Sequence, residues 1–283
     1  MTGLVNGDWL EQRLGDERLV ILDVSFYVPS QAAWFEGHVP GSHYVHWKDL
    51  CWDEADRQFP DPEEMSRRLG SFGAGDASTI VLIGDPIQFA TYAYWVLALT
   101  GFEERVVVLD GGHATWAAQH RPLTQDPSPT TPTSGPTPGR PVTDARVGRD
   151  DVLTRLGDPA RVLVDLRSAE EFAGERVAPT TAPFDHGAER AGHIPGARHL
   201  PHDRLLSTDG TFLEPAELEA AFASIGADEE RDVVTYCRLS HRASLGWFAL
   251  TRLSDRRSVR VYDGSWTEWG SMVGMPVERP RHS

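Results

Sequence analysis

Cys237 is the residue in this 283-residue chain best placed for covalent chemistry. It follows the β-branched run Asp232–Tyr236 and precedes a helix-like segment, in the order "DVVTYCRLSHRASLGWFALTRL". At such a turn, amides of the loop and of the first helical turn converge on the sulfur. Arg238 and Arg242 flank it. Helix amino ends and neighbouring arginines favour thiolate over thiol, taking a cysteine pKa from about 8.5 into a range of roughly 3.5 to 7.5. The same amides and guanidinium groups suit a small oxyanion. His241 lies inside the loop and has two readings, a group that tunes the thiolate or the anion site, or a solvent-exposed loop residue.

Other chemistry-bearing residues point to structure. Cys51 is far from Cys237 in sequence and no CxxC pair occurs, which argues against a disulfide framework and a cysteine-based zinc site. Cys51 is expected to be an inert buried side chain. His38, His43 and His46 in one copy and His193, His199 and His202 in the other offer a metal site as one reading, yet the first histidine of each run recurs in both copies although only one has a thiol, so a role in turn structure is expected. Asp23 and Asp165 end apolar runs, where carboxylates fix loops by accepting backbone hydrogen bonds. The glycine-rich stretches lack a phosphate-loop pattern.

The elements that position Cys237 belong to a duplicated unit. "LVILDVSFY" at Leu19 returns as "RVLVDLRSAEEF" at Arg161, and "GHVPGSHYVHW" at Gly37 returns as "GHIPGARHLPH" at Gly192. "STIVLIGD" ending at Asp85 returns as "DVVTYC" ending at Cys237, and "VVVLDGGHATW" ending at Trp116 returns as "VRVYDGSWTEW" ending at Trp269. Order is kept throughout. The second copy holds extra residues between Asp165 and His193, placed at "GERVAPTTAPFDHGAER". Short apolar strands alternating with helical segments predict an α/β fold with a mainly parallel sheet covered on both faces, and ligands in such sheets sit beyond the strands' carboxyl ends. The expected divisions are residues 1–123, a proline- and threonine-rich linker at 124–142 that should run extended and solvated, and residues 143–283.

With 42 acidic and 27 basic side chains, the formal net charge is −15. Such a field repels phosphate backbones and anionic membranes, so neither nucleic acid nor membrane is an expected partner. The longest strongly apolar stretch, "YWVLALTGF", is about half of the roughly 20 residues a membrane helix requires. Nothing at the amino end resembles a secretory leader, and two lone thiols fit a reducing compartment, so a cytoplasmic location is expected. Duplication already supplies an intramolecular interface, which makes a monomer the default.

"GHIPGA" at Gly192–Ala197, the loop "CRLSHR" at Cys237–Arg242 and "YDGSWTEWGS" at Tyr262–Ser271 resemble the signatures of the two-domain rhodanese family of thiosulfate sulfurtransferases, over nearly the whole chain. The resemblance implies two tandem rhodanese-like domains and a double displacement through a Cys237 persulfide, with no metal or organic cofactor. It implies that Arg167, Arg238, Leu239, Ser240, His241 and Arg242 bind the substrate, a small anionic sulfur donor, before a thiophilic acceptor removes the sulfur. Arg167 has a second reading, an ion pair with Glu170 or Glu171. Arg238 and Arg242 match thiosulfate-type loops; mercaptopyruvate-type loops carry small uncharged residues beside the cysteine. Two residues depart from the pattern. Leu239 replaces a basic residue found in some members, and Ser240 stands where many have glycine, which costs roughly 1–2 kcal/mol if that position is left-handed. The first copy has Asp85 in place of the thiol and is expected to close one side of the cleft with residues near Phe89 and Trp95.

Three rivals remain. A cysteine phosphatase requires C-x5-R, whereas Arg242 gives C-x4-R and a smaller cradle. A 3-mercaptopyruvate sulfurtransferase differs in donor, and a persulfide carrier acting on a protein partner would load sulfur without rapid turnover.

Overall fold

A computed structural model of the chain describes residues 3–25, 28–53, 55–179 and 187–279. The expected insertion at 174–190 therefore lies partly outside the described residues. The chain divides into two units, one of residues 1–143 with 208–212, the other of 144–207 with 213–283.

In the first unit, β1 (Leu4–Val5), β2 (Leu19–Ser25), β3 (Ser42–His46), β4 (Thr79–Ile83) and β5 (Val106–Leu109) form a parallel sheet in the order β1-β5-β4-β2-β3. The second unit repeats that order as β6-β10-β9-β7-β8, with β6 Arg146–Val147, β7 Arg161–Asp165, β8 Arg198–His199, β9 Asp232–Tyr236 and β10 Val259–Tyr262. The central strands β2, β4, β5, β7 and β9 are buried nearly throughout, which is why they read as largely apolar runs, whereas the edge strands β3 and β8 are polar and partly exposed. On one face of the second sheet Leu163, Val234, Tyr236 and Tyr262 pack with Val152, Trp266 and Trp269. On the other, the helix His241–Phe248 lies so close that a Cβ on Gly246 would stand 2.5 Å from Leu166 and 3.5 Å from Thr235. The "HRASLGWFALTRL" segment continues past Phe248 as a π-helical turn over Ala249–Leu253, a widening that apolar periodicity does not reveal.

The stretch 124–142 carries neither helix nor strand and is mostly exposed, and its backbone is also hydrogen-bonded to the first unit. Thr133 N–H donates to Gly70, Gly139 N–H to Gly101 and Val142 N–H to Ala98, at 2.9, 2.7 and 3.0 Å. Proline removes donors and favours extended chain, and the residues between the prolines supply the bonds that hold this extended chain along the first unit. Phe89 and Trp95 are buried, in an aromatic cluster with Trp47, Phe59 and Tyr92.

The repeated histidine is structural in both copies. His38 stacks on Trp34 with centroids 3.7 Å apart, and its Nδ1 is 2.9 Å from the Trp34 carbonyl. His193 stacks on Phe172 at 3.8 Å and approaches the Phe172 carbonyl at 2.8 Å. Among the described residues no group of His, Cys, Asp and Glu could hold a metal ion.

Candidate active site

Cys237 stands directly beyond the carboxyl end of β9, and the next five residues turn into the helix that begins at His241. The chain from Tyr262 to Thr267 holds this turn by its backbone. Cys237 N–H donates to Ser265 Oγ at 3.2 Å, and the Cys237 carbonyl accepts from Trp266 N–H at 2.9 Å. The Arg238 carbonyl accepts from the N–H and the hydroxyl of Thr267, at 3.2 and 2.8 Å. The first intrahelical bond runs from Ser244 N–H to the Ser240 carbonyl, so the N–H groups of His241, Arg242 and Ala243 have no intrahelical acceptor. The Cys237 and Arg238 carbonyls are thus spent on the scaffold, which fixes the loop against the first turn of the helix.

Ser240 adopts φ +71°, the left-handed conformation that explains why glycine is common there. Its side chain offsets the strain. Ser240 is fully buried, and its Oγ donates to the Asp263 carbonyl and lies 3.3 Å from both the Asp263 carboxylate and Ser265 Oγ. Ser265 is itself left-handed at φ +51° and donates to the Tyr262 carbonyl at 2.9 Å. Serine at 240 therefore keeps the loop shape and adds a tie to the strand end.

Cys237 is 1% exposed, and Arg238 and His241 are also buried, so His241 is no solvent-exposed loop residue. Leu239 and Arg242 are partly exposed. Arg238 turns toward Gly187, where an added Cβ would meet its Nε at 3.2 Å. Arg242 makes a bidentate pair with Glu171, at 2.6 and 2.9 Å. Burial opposes the Glu171 charge, but Arg242 outweighs it and holds the carboxyl below its usual range.

Arg167 lies in a buried ion pair with Asp165. It has no exposure at all; its Nε lies 3.0 and 3.1 Å from the Asp165 carboxylate oxygens, while Nη2 donates to Asp165 at 2.6 Å and to the Gly192 carbonyl at 2.8 Å. The guanidinium also lies 4.6 Å from the Trp266 ring centroid. A cation enclosed in this way braces β7 against the "GHIPGA" turn, and its Nη1 is buried with no hydrogen-bond partner among the described residues. Its partner is Asp165, neither Glu170 nor Glu171. Asp165 also accepts from Arg167 N–H at 3.0 Å, closing the loop after β7. The structure thus gathers Cys237, Arg238, Leu239, Ser240, His241 and Arg242 into one loop and sets Arg167 behind it.

Glu171, Ser265 and Thr267 were not expected at the site. Glu171 had a readable signal, since Ser168-x-x-Glu171 is a capping box and the helix Ala169–Ala173 forms on it. Ser265 and Thr267 lie in a motif whose tryptophans alone draw attention.

Cys51 is buried, and burial pushes its thiol pKa up, which removes it from nucleophilic chemistry. At the matching strand end of the first unit, burial pushes Asp23 up to about 6 despite its 2.5 Å bond from Ser25. Its folded pKa exceeds its ordinary value, so its contribution to stability is complete below about 4 and is lost as pH rises through 6. His202 behaves in the opposite sense. Burial and Arg242 lower it to about 4, so its contribution is present above 6.5 and is lost as pH falls toward 4. Asp23→Asn is expected to stabilise the chain by about 1–3 kcal/mol at pH 7.5 and not at pH 4.5, and His202→Gln to do so only at pH 4.5. Denaturant melts at the two pH values check both.

Cys237 thus stands on a loop between the end of a parallel sheet and a helix, in the second copy of a repeated α/β unit. The rhodanese-like domain model matches residues 6–119 and 149–272, and the chain belongs to the rhodanese-like family as a sulfurtransferase with tandem domains. A Saccharopolyspora erythraea protein named "Putative thiosulfate sulfurtransferase" is 37% identical over 98% of this chain and 96% of its own length. The Thermus thermophilus protein "Sulfur carrier protein TtuD" is 36% identical over 98% of this chain and 96% of its own. A solved structure of an anaerobic ergothioneine biosynthesis enzyme from Chlorobium limicola shares the fold, with a TM-score of 0.82 and 23% identity over 98% of this chain and 70% of that one.

Proposed function

We propose that the chain is a thiosulfate sulfurtransferase in which Cys237 carries the sulfur. The thiolate attacks the outer sulfur of thiosulfate, the S–S bond breaks, and sulfite leaves with the bonding electron pair. Cyanide or a thiolate then attacks the terminal sulfur of the persulfide, takes it as thiocyanate or a new persulfide, and regenerates the Cys237 thiolate. Loop amides stabilise the persulfide anion as an oxyanion hole stabilises developing charge.

The observation that carries this reading is the Cys237–Arg242 loop itself. Its Cys237 and Arg238 carbonyls are tied to the 262–267 segment, it leads into a helix amino end, and Arg238 brings a cation to an acidic chain. On the same reading residues 143–283 form the catalytic domain, residues 1–123 a domain without the nucleophile, and the enzyme is a cytoplasmic monomer. The donor is tested by kcat/KM for thiosulfate and for 3-mercaptopyruvate, with thiosulfate expected to lead by tenfold or more, about 1.4 kcal/mol. A lead for mercaptopyruvate would transfer the assignment to that donor.

The likeness to the Thermus thermophilus sulfur carrier favours a second reading, persulfide delivery to a protein partner. That reading expects one sulfur loaded per chain and negligible release to cyanide, so a steady-state thiocyanate assay separates the two.

A further inference from the structure

Arg242 occupies the first turn of the helix that follows Cys237, a place where a cation opposes the helix dipole. Glu171 answers it with two charge-assisted hydrogen bonds from a fully buried position. Glu171 is itself locked: Ser168 N–H donates to its Oε2 at 3.1 Å, and its own N–H donates to Ser168 Oγ at 3.4 Å. Both guanidinium edges that reach Glu171 are consumed, so Arg242 is fixed in place and its charge is balanced within the protein. The groups whose charges bear on Arg242 are Glu171, Cys237 and Asp165, with His202 across from it.

We propose that Glu171 is a positioning residue that sets the reactivity of Cys237 by holding and neutralising Arg242, leaving Arg238 and the loop amides to receive the donor anion. Glu171 touches neither sulfur nor substrate; it decides how much of the Arg242 charge the sulfur feels. A carboxylate at this position tempers the nucleophile, because an uncompensated cation beside it would hold the thiolate or persulfide more tightly and slow its release to the acceptor.

This inference rests on the sulfur-transfer reading only for its consequence in turnover, because the test reads Cys237 directly. The full chain is alkylated with iodoacetamide, a neutral reagent, at pH 6, and modification of the Cys237 peptide is followed by mass spectrometry. Glu171→Gln keeps the shape and removes the charge, and is expected to speed alkylation by about threefold or more, the scale of one charge acting through partly screened surroundings. Arg242→Gln leaves Glu171 uncompensated and is expected to slow it by a similar factor. In Glu171→Gln the KM for thiosulfate is expected to fall about threefold while kcat falls with it. A helix cap with no electrostatic role would leave alkylation by folded Glu171→Gln unchanged or slower, and that result overturns the inference. If Glu171→Gln does not fold, Arg242→Gln decides alone: slower alkylation supports the inference, and an equal or faster rate overturns it. Either way, persulfide formation by the wild type stands as a separate result.

Discussion

Cys237→Ser is expected to lower thiosulfate-dependent thiocyanate formation about a thousandfold or more, with the fold intact. The hydrogen bonds that hold Cys237 run through its N–H and carbonyl, to Ser265 and Trp266, and serine preserves both. Serine also fits the 1%-exposed side-chain position, being slightly smaller than cysteine. What it cannot do is form a persulfide, and its neutral hydroxyl is a far weaker nucleophile than a thiolate. Stability within about 1 kcal/mol of wild type, measured by urea unfolding, would confirm that the loss is chemical. Retention of more than a tenth of the activity would remove Cys237 from the mechanism.

Arg167→Met carries the largest expected effect on stability, a loss of about 3–5 kcal/mol. The substitution leaves the Asp165 carboxylate buried at zero exposure without its bidentate partner, and the Gly192 carbonyl loses a donor as well. The methionine side chain replaces much of the volume, so the cost is chiefly that of an uncompensated buried charge. Asp165→Leu combined with Arg167→Met is expected to recover a large part of it, because removing both partners of a buried pair is far milder than removing one. Denaturant unfolding of the three variants checks this. Any folded Arg167→Met should keep a near-wild-type KM for thiosulfate; a raised KM with unchanged stability would return Arg167 to the substrate.

That contrast shows what the sequence makes legible and what it hides. The two sheets were readable because their strands are short β-branched runs repeated in order, as "TIVLI" of β4 and "DVVTY" of β9 show, and Cys237 was readable because it ends one of them. Side-chain direction was not readable. Arg167 and Arg242 look alike as loop cations near carboxylates, yet the first folds back onto Asp165 at the end of β7, and the second, in the first turn of its helix, reaches Glu171. Pairing across many residues of chain, such as Arg242 with Glu171 or Thr267 with the Arg238 carbonyl, leaves no local pattern. The proline and threonine content of 124–142 makes an extended, exposed backbone legible, but not the surface it lies along. Ser240 was the partial success, its strained conformation legible from the glycine it replaces, and its compensating bond to Asp263 legible only in the structure.

The central claim is a covalent sulfur on Cys237. Intact mass of the purified chain after thiosulfate, and again after cyanide, tests it most directly. The expected result is a gain of about 32 Da, one sulfur, that cyanide removes and that Cys237→Ala never shows. No gain with thiosulfate or 3-mercaptopyruvate, or a gain that persists in Cys237→Ala, would contradict the account.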